Sequence, residues 1–321
     1  MDSGHSVLVA GETLVDFLPG TPGPLATVES FTRRPGGAPA NVAVGLARLG
    51  ETPWFWTRVG DDPFGESLVG TLESEGLPDR FVERDPEVRT TLAFVAHDED
   101  ADRGFTFYRD GTADTRMEPG RVPDEVLESV EWVVAGGVTL AGGRSRRATL
   151  DLLERAAGAG ATVAFDPNFR PELWADGEFE ATVGGALEHV DVLKATAGEL
   201  RALGFEGEDE AGLVRAVLES AAGPHTVLTT LGGAGARAVA GAGAPWGLAT
   251  ATHAGYPVEP VDTTGAGDAF LAGAVASFVG GETDLSGVLA FANAVAAVTT
   301  TAAGAMTALP TREAVRTFRE G

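Results

Sequence analysis

The chain has no cysteine, so neither a disulfide framework nor a Cys-ligated zinc site is open to it. Its five histidines are scattered and show no spacing that would gather a metal. No uncharged apolar run reaches the roughly 20 residues that a membrane span needs. The opening stretch MDSGHSVLVAGETLVD carries Asp2 and no basic patch, and it does not read as a signal peptide. A cytoplasmic protein is the expectation. Lysine is almost missing: Lys194 is the single one, and arginine supplies every other side-chain cation.

Opposite that shortage stands an excess of acid, 47 Asp and Glu against 23 Lys and Arg, for a net charge of -24. The carboxylates are spread along the chain, which disfavours a disordered acidic tail. Such a field repels nucleic acid and anionic lipid, so neither is an expected partner. The pattern suits a host with a salty cytoplasm, such as a halophilic archaeon, where salt screens the self-repulsion of a carboxylate-rich surface. An acidic face built for one partner is the alternative.

Apolar runs of strand length alternate with helical segments. SVLVAG, PWFWTRVG, EWVVAGG, ATVAFDPN, VDVLKAT and TVLTTLGG read as strands. PANVAVGLARLG, PFGESLVGTLESEG, RSRRATLDLLERAAGAG and EAGLVRAVLESAAG read as helices, as do two Ala/Val/Leu-rich segments near the C-terminus. This order argues for an α/β fold whose mainly parallel sheet is covered on both faces. Two stretches, Leu14 to Arg34 and Thr90 to Met117, hold short alternating strands without a helix between them. They read as a small antiparallel sheet inserted into a single domain spanning 1–321.

Two nucleotide motifs can be set aside. A P-loop needs a lysine after a glycine loop, and Lys194 has neither the loop before it nor Ser or Thr after it. GAGARA, from Gly233, loosely fits a dinucleotide fingerprint but leads into the strand-like RAVAG, so no helix start would face a pyrophosphate. The stretch VDTTGAGDAFLAGAV differs. Small residues from Thr264 through Gly265, Ala266 and Gly267 turn the chain into a helix whose first amides form an anion site. Asp268 stands beside it, placed to take a proton from a hydroxyl attacking the anion. Hydroxyl, base and amides together make phosphoryl transfer to an alcohol. A helix-capping role for Asp268 is the plain alternative.

That stretch resembles the C-terminal signature of the ribokinase-like (PfkB) sugar kinases, with Asp268 at the catalytic-base position. GGAPANVAVGLARLG, Gly36 to Gly50, resembles their N-terminal signature, in the right order. GETLVDF, TLAFV with FTFYRDGTAD, FDPNFRPELW and FANAVAAVTTTAAGAMTALPTREAV are similar to the fructokinase branch. The resemblance implies a three-layer sandwich with a small β lid, and an ATP-dependent kinase acting on a primary hydroxyl of fructose. 2-Keto-3-deoxygluconate kinases share DPNFR; their lid tyrosines are replaced here by Ala93 and Phe107, although Arg109 and Arg170 could still grip a carboxylate. A ketohexokinase yielding the 1-phosphate and a catalytically dead sugar-binding regulator are further alternatives.

The resemblance also implies roles. Asp16 would bind sugar hydroxyls, Gly36 and Gly37 would let the backbone approach the sugar, and Asn41, Phe107 and Arg109 would complete the substrate site. Arg170 would lie between sugar and phosphates, with Asn168 on the nucleotide side. Lys194 would touch a phosphate and Glu199 would hold Mg²⁺ through water. Thr230, Gly232 and Gly235 would line ribose and phosphates, and Asn293 the adenine side. Asp262 and Thr264 match a monovalent-cation site suited to K⁺, and the lid would pair two subunits into a homodimer. The residues alone leave plainer readings open: a turn aspartate at Asp16, a surface ion pair at Arg170, a capping amide at Asn293.

Overall fold

A computed structural model describes residues 4–21, 23–97, 103–220 and 223–321. Residues 98–102, inside the second expected lid stretch, and 221–222, at the end of an expected helix, lie outside the described residues. In chain order the first strands are β1 (Val7–Ala10), β2 (Leu14–Pro19), β3 (Phe31–Gly36), β4 (Trp54–Gly60) and β5 (Val82–Asp85). Next come β6 (Leu92–His97), β7 (Arg103–Tyr108), β8 (Trp132–Gly136) and β9 (Thr162–Asp166). The remainder are β10 (Val192–Ala195), β11 (Thr226–Thr230), β12 (Ala236–Ala240) and β13 (Ala249–His253).

The large sheet runs β13-β12-β11-β10-β9-β8-β1-β4-β5, parallel from β11 through β5, with β12 and β13 antiparallel at one edge. Its central strands are mostly apolar because both faces are covered, with Asp166 and Lys194 as charged exceptions toward the carboxyl ends of β9 and β10. Val7 and Val9 join one buried cluster with helices Ala38–Arg48, Ala266–Val279 and Leu285–Thr300. Leu8 and Ala10 join the other, with helices Ser145–Ala159 and Glu210–Leu218. The segment RAVAG is indeed strand, in β12, which removes the helix a dinucleotide site would need.

The small sheet has the order β3-β2-β6-β7. Each expected stretch forms an antiparallel hairpin pairing, β2 with β3 and β6 with β7, while the two hairpins join through a parallel β2–β6 pairing. Alternation then sorts the aromatic residues. Asp16, Ala93 and Phe107 are in register on one face, with Phe105 two residues along. Phe17 and Phe94 share the other, stacked at 4.8 Å, and Phe31 and Tyr108 meet Phe94 edge-on at 5.3 Å each. Part of this second face is buried on helix Pro63–Ser74, where Phe64 meets Phe17. That helix is capped by Asp62, whose Oδ1 accepts from the amides of Phe64 and Gly65 and whose Oδ2 accepts from Thr90 at the entry to β6. No helix among the described residues is long and apolar enough to cross a membrane.

Candidate active site

The carboxyl ends of β1, β9 and β10 meet two helix starts and one face of the small sheet around a cleft of about 380 Å³. Helix Ala266–Val279 is entered through Gly265 at φ 76°, a left-handed conformation that glycine adopts without penalty. A Cβ at Gly265 would also lie 2.5 Å from the Cβ of Ala305. Gly265 and Gly267 line the cleft. Ala266, expected beside them, does not: its N–H donates to the Thr263 carbonyl at 3.3 Å, which turns it into the loop. The first amides of an α-helix have no intrahelical acceptor, so Gly267 brings a free donor and the positive end of the helix to this wall.

Asp268 sits one residue further, buried, with its Oδ2 accepting from Asn41 Nδ2 at 2.8 Å. The two signature motifs, at opposite ends of the chain, therefore meet side chain to side chain. Burial pushes the Asp268 carboxyl above its ordinary value, while Asn41, Lys194 and Arg170 pull the other way. The side chain caps nothing; helix Ala266–Val279 has no side-chain cap.

Lys194, at the end of β10, is 5% exposed and its Nζ lies 2.7 Å from Asp166 Oδ2. A Cβ on Gly267 would come within 2.9 Å of that Nζ, so the missing side chain at Gly267 is what brings ammonium and helix start together. Burial alone would lower the lysine's proton affinity, but Asp166 and then Glu199 reverse that and leave it raised. Glu199 accepts from the amides of Phe169, at 3.1 Å, and Thr196, at 2.8 Å, inside a capping box. Asn168 and Arg170 also line the cleft, Arg170 lying 5.3 Å from the Phe105 ring centroid. Asp16, its carboxyl raised to about 7 chiefly by burial, faces the same space with Gly37, Asn41 and Phe107. Gly36 passes so close that a Cβ there would meet the Asp16 carboxylate.

Besides Ala266, the expected residues Gly36, Arg109, Thr230, Gly232, Gly235, Asp262 and Asn293 do not line this cleft. Arg109 is buried under the small sheet and its Nε bonds Asp114 at 2.6 Å; it lines an adjoining cavity of about 620 Å³ instead. Asn293 spends its amide on the Leu289 carbonyl, 2.8 Å away and one turn back. Thr230 ends β11, and Gly232 and Gly235 form the turn after it, pinned by Leu231 donating to Gly235. Asp262 organises the anion loop: Oδ1 accepts from the Thr264 amide and hydroxyl, and Oδ2 from the Gly304 amide.

Two carboxylates missed in the sequence stand in the site. Glu12, 2% exposed, lies where β1 hands over to β2, and burial raises its carboxyl to about 8. Asp166 ends β9 beneath Lys194. Each breaks an apolar run, GETLVDF in one case and TVAFDPN in the other, which is the signal that singled out Asp268.

A family model described as pfkB family carbohydrate kinase matches residues 5–312. A fructokinase of Vibrio alginolyticus is 36% identical over 98% of this chain and 99% of its own. Among solved structures, a fructokinase of Xylella fastidiosa with bound ATP superposes with a TM-score of 0.85 at 28% identity, covering 99% of this chain and 98% of the other. A double-mutant fructokinase of Vibrio cholerae, in a fructose-, ADP- and potassium-ion-bound form, superposes with a TM-score of 0.84 at 33% identity, covering 99% of both chains.

Proposed function

The chain belongs to the pfkB family of carbohydrate kinases, with the ribokinase-like α/β fold, and we propose that this member moves the γ-phosphoryl group of ATP to a primary hydroxyl of fructose. The observation that carries the reading is the junction of Asp268, Asn41, Lys194, Gly265 and Gly267 in one cleft. Asn41 occupies Oδ2 of Asp268 and fixes the carboxylate, leaving Oδ1 to take the hydroxyl proton as the oxygen attacks. Lys194 and the amide of Gly267 meet the charge of the transferred group from two sides.

ATP and a divalent metal fit the residues present. The space left by Gly267 beside Lys194 is a cradle for a phosphate oxygen, and it would be closed by any Cβ. Glu199 is the acid placed to hold Mg²⁺ through water, and the metal would neutralise phosphate charge. Asp262 and Thr264 are the proposed K⁺ site; K⁺ would stiffen the loop that presents Gly265. The Vibrio cholerae relative, bound to potassium, supports that assignment.

Fructose is favoured over a keto-acid sugar on specific grounds. Of the two arginines that could grip a carboxylate, Arg109 is committed to Asp114, and the cleft face of the small sheet offers Ala93 and Phe107 in place of hydroxyl-bearing tyrosines. Intact Asp268 and Asn41 disfavour a dead regulator. The small sheet acts as the lid: its Asp16–Phe107 face covers the sugar and keeps water from competing as acceptor. Its outer aromatic face, with Tyr108 59% exposed, supports pairing of two subunits.

A coupled ADP-release assay across a sugar panel, in high KCl, tests the substrate. Fructose should show the highest kcat/KM, and NMR of the product assigns the 1- or 6-phosphate. Preference for 2-keto-3-deoxygluconate, or no turnover of any sugar, would overturn the proposal.

A further inference from the structure

Asp166 serves two walls of the cleft with one carboxylate. Its Oδ2 accepts from Lys194 Nζ at 2.7 Å, and its Oδ1 accepts from the Asn168 amide at 3.0 Å. Asn168 is the one non-glycine residue with positive φ, 44°, among the described residues, a conformation that needs an anchor. Lys194, Asn168 and Gly267 all line the cleft, whereas Asp166 lies behind them, 4% exposed. A buried ion pair is weak evidence for stability, because desolvation offsets its attraction. Its retention here is better explained by where it holds the ammonium, against the start of helix Ala266–Val279.

We propose that Asp166 is a positioning residue for phosphoryl transfer: it aims the only lysine of the chain at the amide of Gly267 and sets Asn168 on the facing wall. The proposal rests on the phosphate role given to Lys194 above. The charged groups that face Lys194 are Asp166, Glu199 and Asp268; those that face Asp166 are Lys194, Glu199 and Asp268. Asp166 also keeps the lysine protonated, since an ammonium this deep without its counter-ion sheds its proton more easily.

Three variants test this: Asp166→Asn, Lys194→Met and the double variant, each checked for folding by circular dichroism. Asn retains an acceptor for the Asn168 amide but removes the charge at Lys194. Asp166→Asn should lose about tenfold or more in kcat at neutral pH, with little change in sugar KM, as expected when a phosphoryl donor is misplaced. It should also acquire an alkaline limb absent from the wild type, and calorimetric ATP affinity should weaken along that limb. Lys194→Met should lose about 10²- to 10³-fold without such a limb. The double variant, freed of both buried charges, should match Lys194→Met alone and serves if Asp166→Asn fails to fold.

Wild-type kcat and pH profile in Asp166→Asn, with only a lower Tm, would overturn the proposal, as would losses that multiply in the double variant. Full activity in Lys194→Met would overturn the lysine's phosphate role and the proposal with it. A wild type inactive on every sugar would sink the kinase reading instead, and calorimetric ATP binding would still decide the part played by Asp166.

Discussion

Asp268 is held between two influences: burial raises its proton affinity, while Asn41, Lys194 and Arg170 lower it. The net rise brings a carboxylate closer to the range where a base both accepts a proton and stays mostly ionised. Asp268→Asn should keep ATP and fructose binding and cut kcat by about 10² to 10⁴, the worth of a positioned base. Steady-state kinetics with calorimetry checks this, and turnover within a few-fold of wild type would remove Asp268 from the role. In the wild type kcat/KM should fall as pH drops through the raised value, because the base must be ionised to act. Glu12 carries the opposite burden, with no activity to gain from ionising. Its folded carboxyl holds a proton up to about pH 8 against 4.5 for an ordinary one. The native state thus binds that proton more tightly than the unfolded chain, and stability is drawn away as pH rises between those values. Glu12→Gln should match wild type at the acidic end of that window and exceed its Tm by about 2 °C or more at the alkaline end. Thermal melts across the window decide it; a gap that is constant with pH would refute the assignment.

The small sheet divides its work between its faces because successive side chains in a strand point opposite ways. Phe105 and Phe107 take the cleft, and Phe17, Phe31, Phe94 and Tyr108 take the outside. Helix Pro63–Ser74 covers the end near Phe17, but Tyr108 remains 59% exposed. A sheet of this size needs cover on its apolar face, and in the proposed homodimer a two-fold partner would supply it with the same patch. Light scattering in molar KCl should therefore give twice the 32.9 kDa of the chain. Phe31→Ser with Tyr108→Ser should shift that mass toward the monomer while leaving the Phe107 face intact. A wild-type mass near the monomer value at micromolar protein, with full activity, would rule out an obligate lid-paired dimer.

At the scale of the whole molecule the net charge of -24 dominates. In dilute buffer the Debye length grows to about 30 Å at 0.01 M salt, so carboxylates across much of the surface repel one another. In molar salt it shrinks to about 3 Å, and only neighbours interact. Several of the arginines that offset this charge sit in part-exposed pairs, such as Arg144 with Glu118 and Arg155 with Asp124, which contribute little individually. Tm should accordingly fall as KCl is lowered from molar concentration to dilute buffer. A flat or rising Tm over that series would sink the halophilic reading.

The sequence alone determined the alternation of strands and helices, because strands buried on both faces must be mostly apolar and helices must show a periodic stripe. It made the kinase chemistry legible as well: TGAGD concentrates glycine turns, helix amides and a carboxylate within a few residues, and the resemblance of this motif and of Gly36 to Gly50 to the two PfkB signatures favours that chemistry over a helix cap. The hand-over of Asn41 to Asp268 was legible only as two separate motifs; folding brought their side chains to 2.8 Å. Other roles were decided by three-dimensional neighbours alone. Arg109 looked like a substrate cation until Asp114, five residues on, folded back to neutralise it. Asn293 looked like an adenine contact until the helix gave it the Leu289 carbonyl. Glu12 and Asp166 gained their character from burial, which sets the cost of a charge and depends on every element packed around it. Strand alternation implied that the small sheet's aromatics divide between two faces, but which face lines the cleft depended on the parallel joining of β2 to β6, a long-range pairing that no local pattern encodes.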